Sequence, residues 1–203
     1  MKNSFQTDHT LIIDELETSI KFHNLDLILG FLPKGSYLVG GYIRDIILGR
    51  KTEKLDVDIV VPLNAIEIGK KIADNIGSKF IILDEKREVV RIILNHIYID
   101  ITNQICSTIE GDLISRDFSI NSIAFLFEKK RLFDPFNGLK DLEFSLIKTY
   151  SEINLINDEL ETSIKFHNLD LILGFLPKGS YLSLIHISEP TRLAIISYAV
   201  FCL

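Results

Sequence analysis

The chain has 203 residues, 47% hydrophobic and 25% charged, which is room for one domain of ordinary size or two small ones around a sizeable core. Its 22 basic and 28 acidic side chains give a formal charge of -6, which excludes a blanket of positive charge, so nucleic acid must be met by a local patch or a segment outside this chain. Cys106 and Cys202 alone exclude a disulfide framework or a cysteine zinc site and fit a reducing, cytoplasmic setting; residues 1–10 are polar, unlike an export signal, and no apolar run reaches the roughly 18–20 residues of a membrane span.

In chain order, Leu11, Ile12, Leu16, Ile20, Leu25, Ile28, Leu29 and Leu32 recur at spacings that predict one or two amphipathic helices. Pro33 and Gly35 end them, which makes 1–35 an N-terminal helical segment. A short buried strand follows over 36–39, then a tight turn at Gly40-Gly41 and a helix over 42–48 stopped at Gly49. The next elements are a strand over 57–61, a helix over 64–75 with Ile66, Ile68, Ile72 and Ala73 inward, and a strand over 79–83. Residues 88–94 and 96–102, separated by Asn95, read as a hairpin. A helix is expected over 119–124 and a strand pair over 125–133, turning at 128–130. The fold class is α/β in the α+β sense: a head domain over 36–150 in which helices flank a small mixed sheet and polar motifs sit where strands end and helices begin.

Beyond residue 157 the sequence changes character. Residues 158–182 repeat 14–38 at all 25 positions, at an offset of 144. Natural repeats drift on their surfaces, whereas Lys21/Lys165, His23/His167 and Asn24/Asn168 are kept here although packing would not fix them. The expectation is a joining artefact rather than a solenoid. Residues 183–203 resemble the translation of a sequencing-library adapter, against the alternative of an apolar C-terminal helix. Functional inference therefore rests on 1–157, which carry 19 basic and 23 acidic side chains.

Three constellations carry chemistry. In Gly40-Gly41-Tyr42-Ile43-Arg44-Asp45, two glycines let backbone approach a phosphate, the following helix offers free N–H groups, and Arg44 adds a charge one turn in; a plain structural turn is the alternative. In Leu55-Asp56-Val57-Asp58-Ile59, residues two apart on a strand share a face, so Asp56 and Asp58 project together while Leu55, Val57 and Ile59 face the core. Two neighbouring carboxylates repel unless a divalent cation sits between them, and oxygen ligands shared with substrate phosphates suit Mg²⁺. Asp100, alternating with isoleucines on a second strand, can complete a two-metal site or serve as a hydrogen-bonded edge residue. In the third, Arg116 can meet phosphate or a base edge and Asp117 a ribose hydroxyl; alternatively, Asp117 or Ser119 caps a helix and Arg116 pairs with Asp112.

The order GGYIRDIILGR, LDVDIVV, GDLISRDFSINSIAF and FDPFNGLKDLE resembles the catalytic head of the tRNA nucleotidyltransferase and bacterial poly(A) polymerase family, in its class II branch, from about Tyr37 to Asn157. The resemblance implies addition of C and A to the 3′ end of tRNA from CTP and ATP with Mg²⁺. Asp56 and Asp58 would be the metal carboxylates and, with Asp100, the catalytic set. Gly40, Gly41 and Arg44 would hold the triphosphate, Arg116 and Asp117 would contact the incoming nucleotide, and Asn121 would brace that motif. Residues 134–138 would lead toward a helical neck beginning at 151–157, whose arginine-bearing continuation the copied segment replaces, and Ser115 stands where a second arginine is common. The alternatives are a poly(A)- or A-adding member of the family, a small-molecule nucleotidyltransferase, and a non-catalytic fragment or two-copy helical interaction protein.

Overall fold

The computed structural model describes residues 9–50, 54–116, 118–147, 181–184 and 199–202. Helices α1 (His9–Phe22) and α2 (Asp26–Leu29) precede β1 (Tyr37–Val39), α3 (Gly41–Ile47), β2 (Leu55–Val61) and α4 (Ala65–Ile76). Next come β3 (Lys79–Asp84), β4 (Val89–Leu94), β5 (Ile97–Asn103) and α5 (Ile109–Leu113). The head closes with a 3-10 turn (Ser119–Asn121), β6 (Ala124–Leu126), β7 (Arg131–Phe133) and α6 (Gly138–Glu143).

Seven strands form one mixed sheet in the order β3-β4-β5-β2-β1-β6-β7. Neighbours are antiparallel except β2 and β5, which run parallel because the chain between them crosses over through α4 and the β3-β4 hairpin. The strand alternation then decides what each face carries. Leu38, Val57, Ile59, Val90, Ile92, Ile99, Ile101 and Phe125 bury against Ile12, Leu16 and Ile20 of α1, Ile28 of α2, Ile43 of α3 and Ile72 of α4. On the other face Val39, Val60 and Ala124 pack on Ile109 and Leu113 of α5. Among the described residues, helices thus cover one face, while α5 covers the other around β1, β2 and β6.

The expected mixed sheet with flanking helices is what forms, and the hairpin turns at Asn95, held at φ 55. In α4 Ile72 and Ala73 are buried and Ile66 and Ile68 pack half-buried against the same core, as expected, with Ala65 and Gly69 buried as well. One expectation changes. The helix expected over 119–124 is one 3-10 turn, closed by Ser122 N–H donating to the Ser119 carbonyl at 3.0 Å. Ala124, expected as the end of that helix, is claimed by the sheet instead, pairing with Val39 of β1.

At the C-terminal end of the repeated segment, β9 (Tyr181–Leu184) begins; it pairs with β10 (Ala199–Cys202), which pairs with β8 (Leu146–Ile147). The main-sheet position between β2 and β6 is filled by β1, from the first copy. Residues 148–180 lie outside the described residues, including the expected neck at 151–157 and most of the copy. No described helix is long and apolar enough to cross a membrane.

Candidate active site

The parallel β2-β5 pair sets the acidic centre. Asp58 is in register with Asp100, and Asp56 with Tyr98, so these four side chains share the face opposite the main helical layer. Asp56 is exposed and Asp58 half-buried. Burial pushes the Asp58 carboxyl above its ordinary range; Arg116 opposes this, and the negative charges of Asp100 and Asp56 reinforce it. Asp100 has a partner that strand alternation did not reveal. Arg91, opposite it on β4, donates Nε–H to Oδ1 and Nη2–H to Oδ2, both at 2.7 Å. Those bonds hold the Arg91 pKa above even its usual value. Its guanidinium also stands 5.2 Å from the centroid of the Tyr98 ring.

Both Asp100 oxygens are engaged by Arg91, which is the hydrogen-bonded edge arrangement that the sequence left open beside the two-metal site. Among the described residues no group of three His, Cys, Asp or Glu side chains is gathered to hold one ion. Asp56 and Asp58 remain a pair of hard oxygen donors on one strand face, with Asp58 raised by burial and by like charges, and this is a donor set whose repulsion a divalent cation relieves.

Beside them lies the glycine turn. Gly40 takes φ 80 and ψ -153, a conformation open essentially to glycine alone. A Cβ there would strike Asp58 Oδ2 and come within 3.2 Å of Arg116 Nη1, so the absent side chain is what lets the carboxylate and the guanidinium each approach the bare backbone of the turn. Gly41 starts α3, and Arg44 on α3 is fixed from two sides: Nε–H and Nη2–H donate to Asp45 at 2.9 and 3.0 Å, and Nη1–H donates to Asn121 Oδ1 at 2.7 Å. Asn121 therefore braces the first motif through Arg44. From behind, α1 steadies α3, with Ser19 Oγ 2.8 Å from the Tyr42 hydroxyl.

Arg116 faces Asp112 at a loose 3.8 Å, and its buried Nε has no hydrogen-bond partner. A buried N–H left open beside a glycine turn suits an anion. Asp117 lies outside the described residues. Ser119 Oγ donates to the buried Asp141 carboxylate of α6 at 2.7 Å, and Gly138 lies so close to the Ser119 carbonyl that no Cβ would fit. Asp134 opens α6 by accepting from Gly138 N–H and Leu139 N–H at 2.6 and 2.9 Å. The four motifs thus join: the first to the second at Gly40 and Asp58, to the third at Arg44 and Asn121, and the third to the fourth at Ser119 and Asp141.

Sequence reasoning missed Arg91 and Asp45. Arg91 had a signal, since it is the charged member of an otherwise apolar VVRIIL strand and has the parity of Val89 and Ile93 rather than of the buried Val90 and Ile92.

Residues 36–148 match the family described as the poly A polymerase head domain, which is more than half of the chain. The chain belongs to that family. It is 40% identical over 132 residues to a CC-adding tRNA nucleotidyltransferase of Synechocystis sp., covering 65% of this chain and 32% of that protein. To an A-adding tRNA nucleotidyltransferase of Deinococcus radiodurans it is 35% identical, covering 63% of this chain and 28% of the relative. A solved CCA-adding enzyme in an apo form superposes with a TM-score of 0.59 at 33% identity, over 72% of this chain and 38% of that one. The chain spans about a third of the length of the curated relatives it matches. In this member of the head-domain family the acidic strand and the glycine turn adjoin at Asp58 and Gly40.

Proposed function

We propose that this chain is the catalytic head of a template-independent RNA nucleotidyltransferase that adds C and A nucleotides to the 3′ end of tRNA from CTP and ATP in the cytoplasm. The observation that carries the reading is the approach of both Asp58 and Arg116 to the bare backbone of Gly40. It sets an acidic pair beside a cation whose buried Nε is unsatisfied, as a magnesium-bound triphosphate requires. Asp56 and Asp58 would hold Mg²⁺, which supplies neutralisation of phosphate charge when bound. Gly40 and Gly41 leave room for the triphosphate and Arg44, pre-oriented by Asp45 and Asn121, pairs with it. Arg116 and Asp117 contact the incoming nucleotide. Asp100, whose oxygens each keep a lone pair beside their Arg91 bond, accepts the proton of the RNA 3′ hydroxyl directly or through a water, as that oxygen attacks the α-phosphate in line and pyrophosphate leaves. Both CC- and A-adding relatives support the tRNA end as acceptor.

The reading is tested by placing residues 36–147 in the position of the head of the Synechocystis relative and following CMP transfer from CTP to a tRNA transcript that lacks its terminal CCA. Incorporation that disappears with Asp58→Ala is expected. A folded chimera that transfers nothing, or transfers equally well with Asp58→Ala, would refute it.

A further inference from the structure

The part of the sheet that α5 leaves uncovered lies beyond the acidic centre, on β5, β4 and β3. Register places two rows of side chains there. One runs from Val39 through Asp58, Asp100 and Arg91 to Ile81, and the other from Asp56 through Tyr98 and Ile93 to Lys79. Tyr98 and Ile93 are half-buried, Arg91 keeps 34% of its side chain exposed, and Ile81 is 42% exposed. The Arg91 guanidinium is held by its edge to Asp100 and stands over the Tyr98 ring, 5.2 Å from its centroid, so the two are placed together as a cation–aromatic pair.

Its position relative to the carboxylates says what it is for. Gly40, Gly41, Arg44 and Arg116 all lie on the β1 side of Asp58, which is where the pyrophosphate end of a bound nucleotide belongs in the function proposed above. In-line displacement needs the attacking hydroxyl on the side opposite the leaving group. That side is β5 and β4, where Arg91 stands two strand spacings, roughly 10 Å, from Asp58. Single-stranded RNA ends are gripped by stacking their bases on aromatic rings and arginine planes, and this shelf offers both beside Asp100. We propose that Tyr98 and Arg91 form the acceptor subsite, on which the 3′-terminal base of the single-stranded RNA stacks so that its hydroxyl reaches Asp100. Ile81 and Ile93 extend the apolar shelf toward the next base.

This inference rests on the proposed function, and the test keeps the two apart. The full 203-residue chain, with Mg²⁺, is titrated against a fluorescein-labelled eight-nucleotide RNA ending in CC and, separately, against a fluorescent CTP analogue. Tyr98→Ala is expected to weaken RNA binding about tenfold or more, as loss of one stacked base would. Tyr98→Phe keeps the ring and should bind RNA within about twofold of wild type, and both variants should bind the CTP analogue as wild type does. Arg44→Ala should show the reverse pattern. RNA binding unchanged by Tyr98→Ala, or absent in a wild-type chain that binds the CTP analogue, overturns the acceptor subsite alone. Failure of wild type to bind the CTP analogue overturns the proposed function, and the subsite with it. A wild-type dimer in sedimentation that Tyr98→Ala dissociates would instead make this face a contact between copies, which also overturns the proposal.

Discussion

Replacing Gly40 by alanine asks two things of the site at once. The backbone at φ 80 and ψ -153 is closed to residues with a Cβ, at a cost of about 1–3 kcal/mol. The new methyl also lands on Asp58 Oδ2 and within 3.2 Å of Arg116 Nη1, so either the turn opens or the carboxylate swings away from the glycine loop. At roughly 4 °C per kcal/mol for a domain of this size, Tm should fall by about 4–12 °C. Binding of a magnesium-loaded CTP analogue should be lost, because both outcomes separate Asp58 from the loop. Gly49→Ala is the control: it has φ 63 but nothing within 4 Å of the added Cβ, so it meets only the left-handed penalty of about 1 kcal/mol and should leave nucleotide binding intact. Thermal unfolding followed by circular dichroism and a fluorescence titration read the two effects. If Gly40→Ala melts no lower than Gly49→Ala and still binds nucleotide, the close approach at Gly40 is not what builds the site.

Four further outcomes follow from the same geometry. Because the folded-state pKa of Asp58 lies above its unfolded value, the carboxyl costs stability as pH rises through that interval. Asp58→Asn should therefore have a higher urea midpoint than wild type at pH 7.5, with the gap closing toward pH 4, while nucleotide transfer is lost; a lower midpoint at pH 7.5 would contradict the assigned burial and repulsion. Arg44→Ala should weaken CTP and ATP alike, since a phosphate contact does not read the base, whereas Asp117→Ala should cost ribonucleotides more than 2′-deoxynucleotides; equal losses with Asp117→Ala would make it a structural cap. Asp134→Ala removes the acceptor for two N–H groups at the start of α6 and should cost about 1–2 kcal/mol in chemical denaturation, with no loss at all arguing against the cap. Deleting residues 158–203 should leave Tm and CTP binding close to those of the whole chain, because β1 and α1 of the first copy already fill the sheet and core positions; a loss above about 1 kcal/mol would show that the second copy contributes.

The sequence by itself determined the order of the elements and the identity of the acidic strand. Period-two alternation around Asp56 and Asp58, the glycine pair at 40–41 and the helical spacing of apolar residues over 11–32 are local facts, fixed by backbone geometry whatever the rest of the chain does. The same alternation marked Asp100, because it stands among isoleucines. What it could not supply was the distance between strands. That Asp100 lies beside Asp58 depends on a parallel pairing across some forty residues, and that Arg91 takes both its oxygens depends on the next strand's register. The 119–124 segment shows the same limit from the other side: its helical pattern gave way where Ala124 pairs as a strand residue with Val39 of β1 and Phe133 of β7. Arg44, Asn121, Ser119 and Asp141 are far apart in the chain, and only the packing of α3 and α6 on the 3-10 turn brings them to hydrogen-bond distance. Hydrogen bonds and ion pairs act over a few ångströms in space, so which of the legible residues become partners was a decision left to the fold.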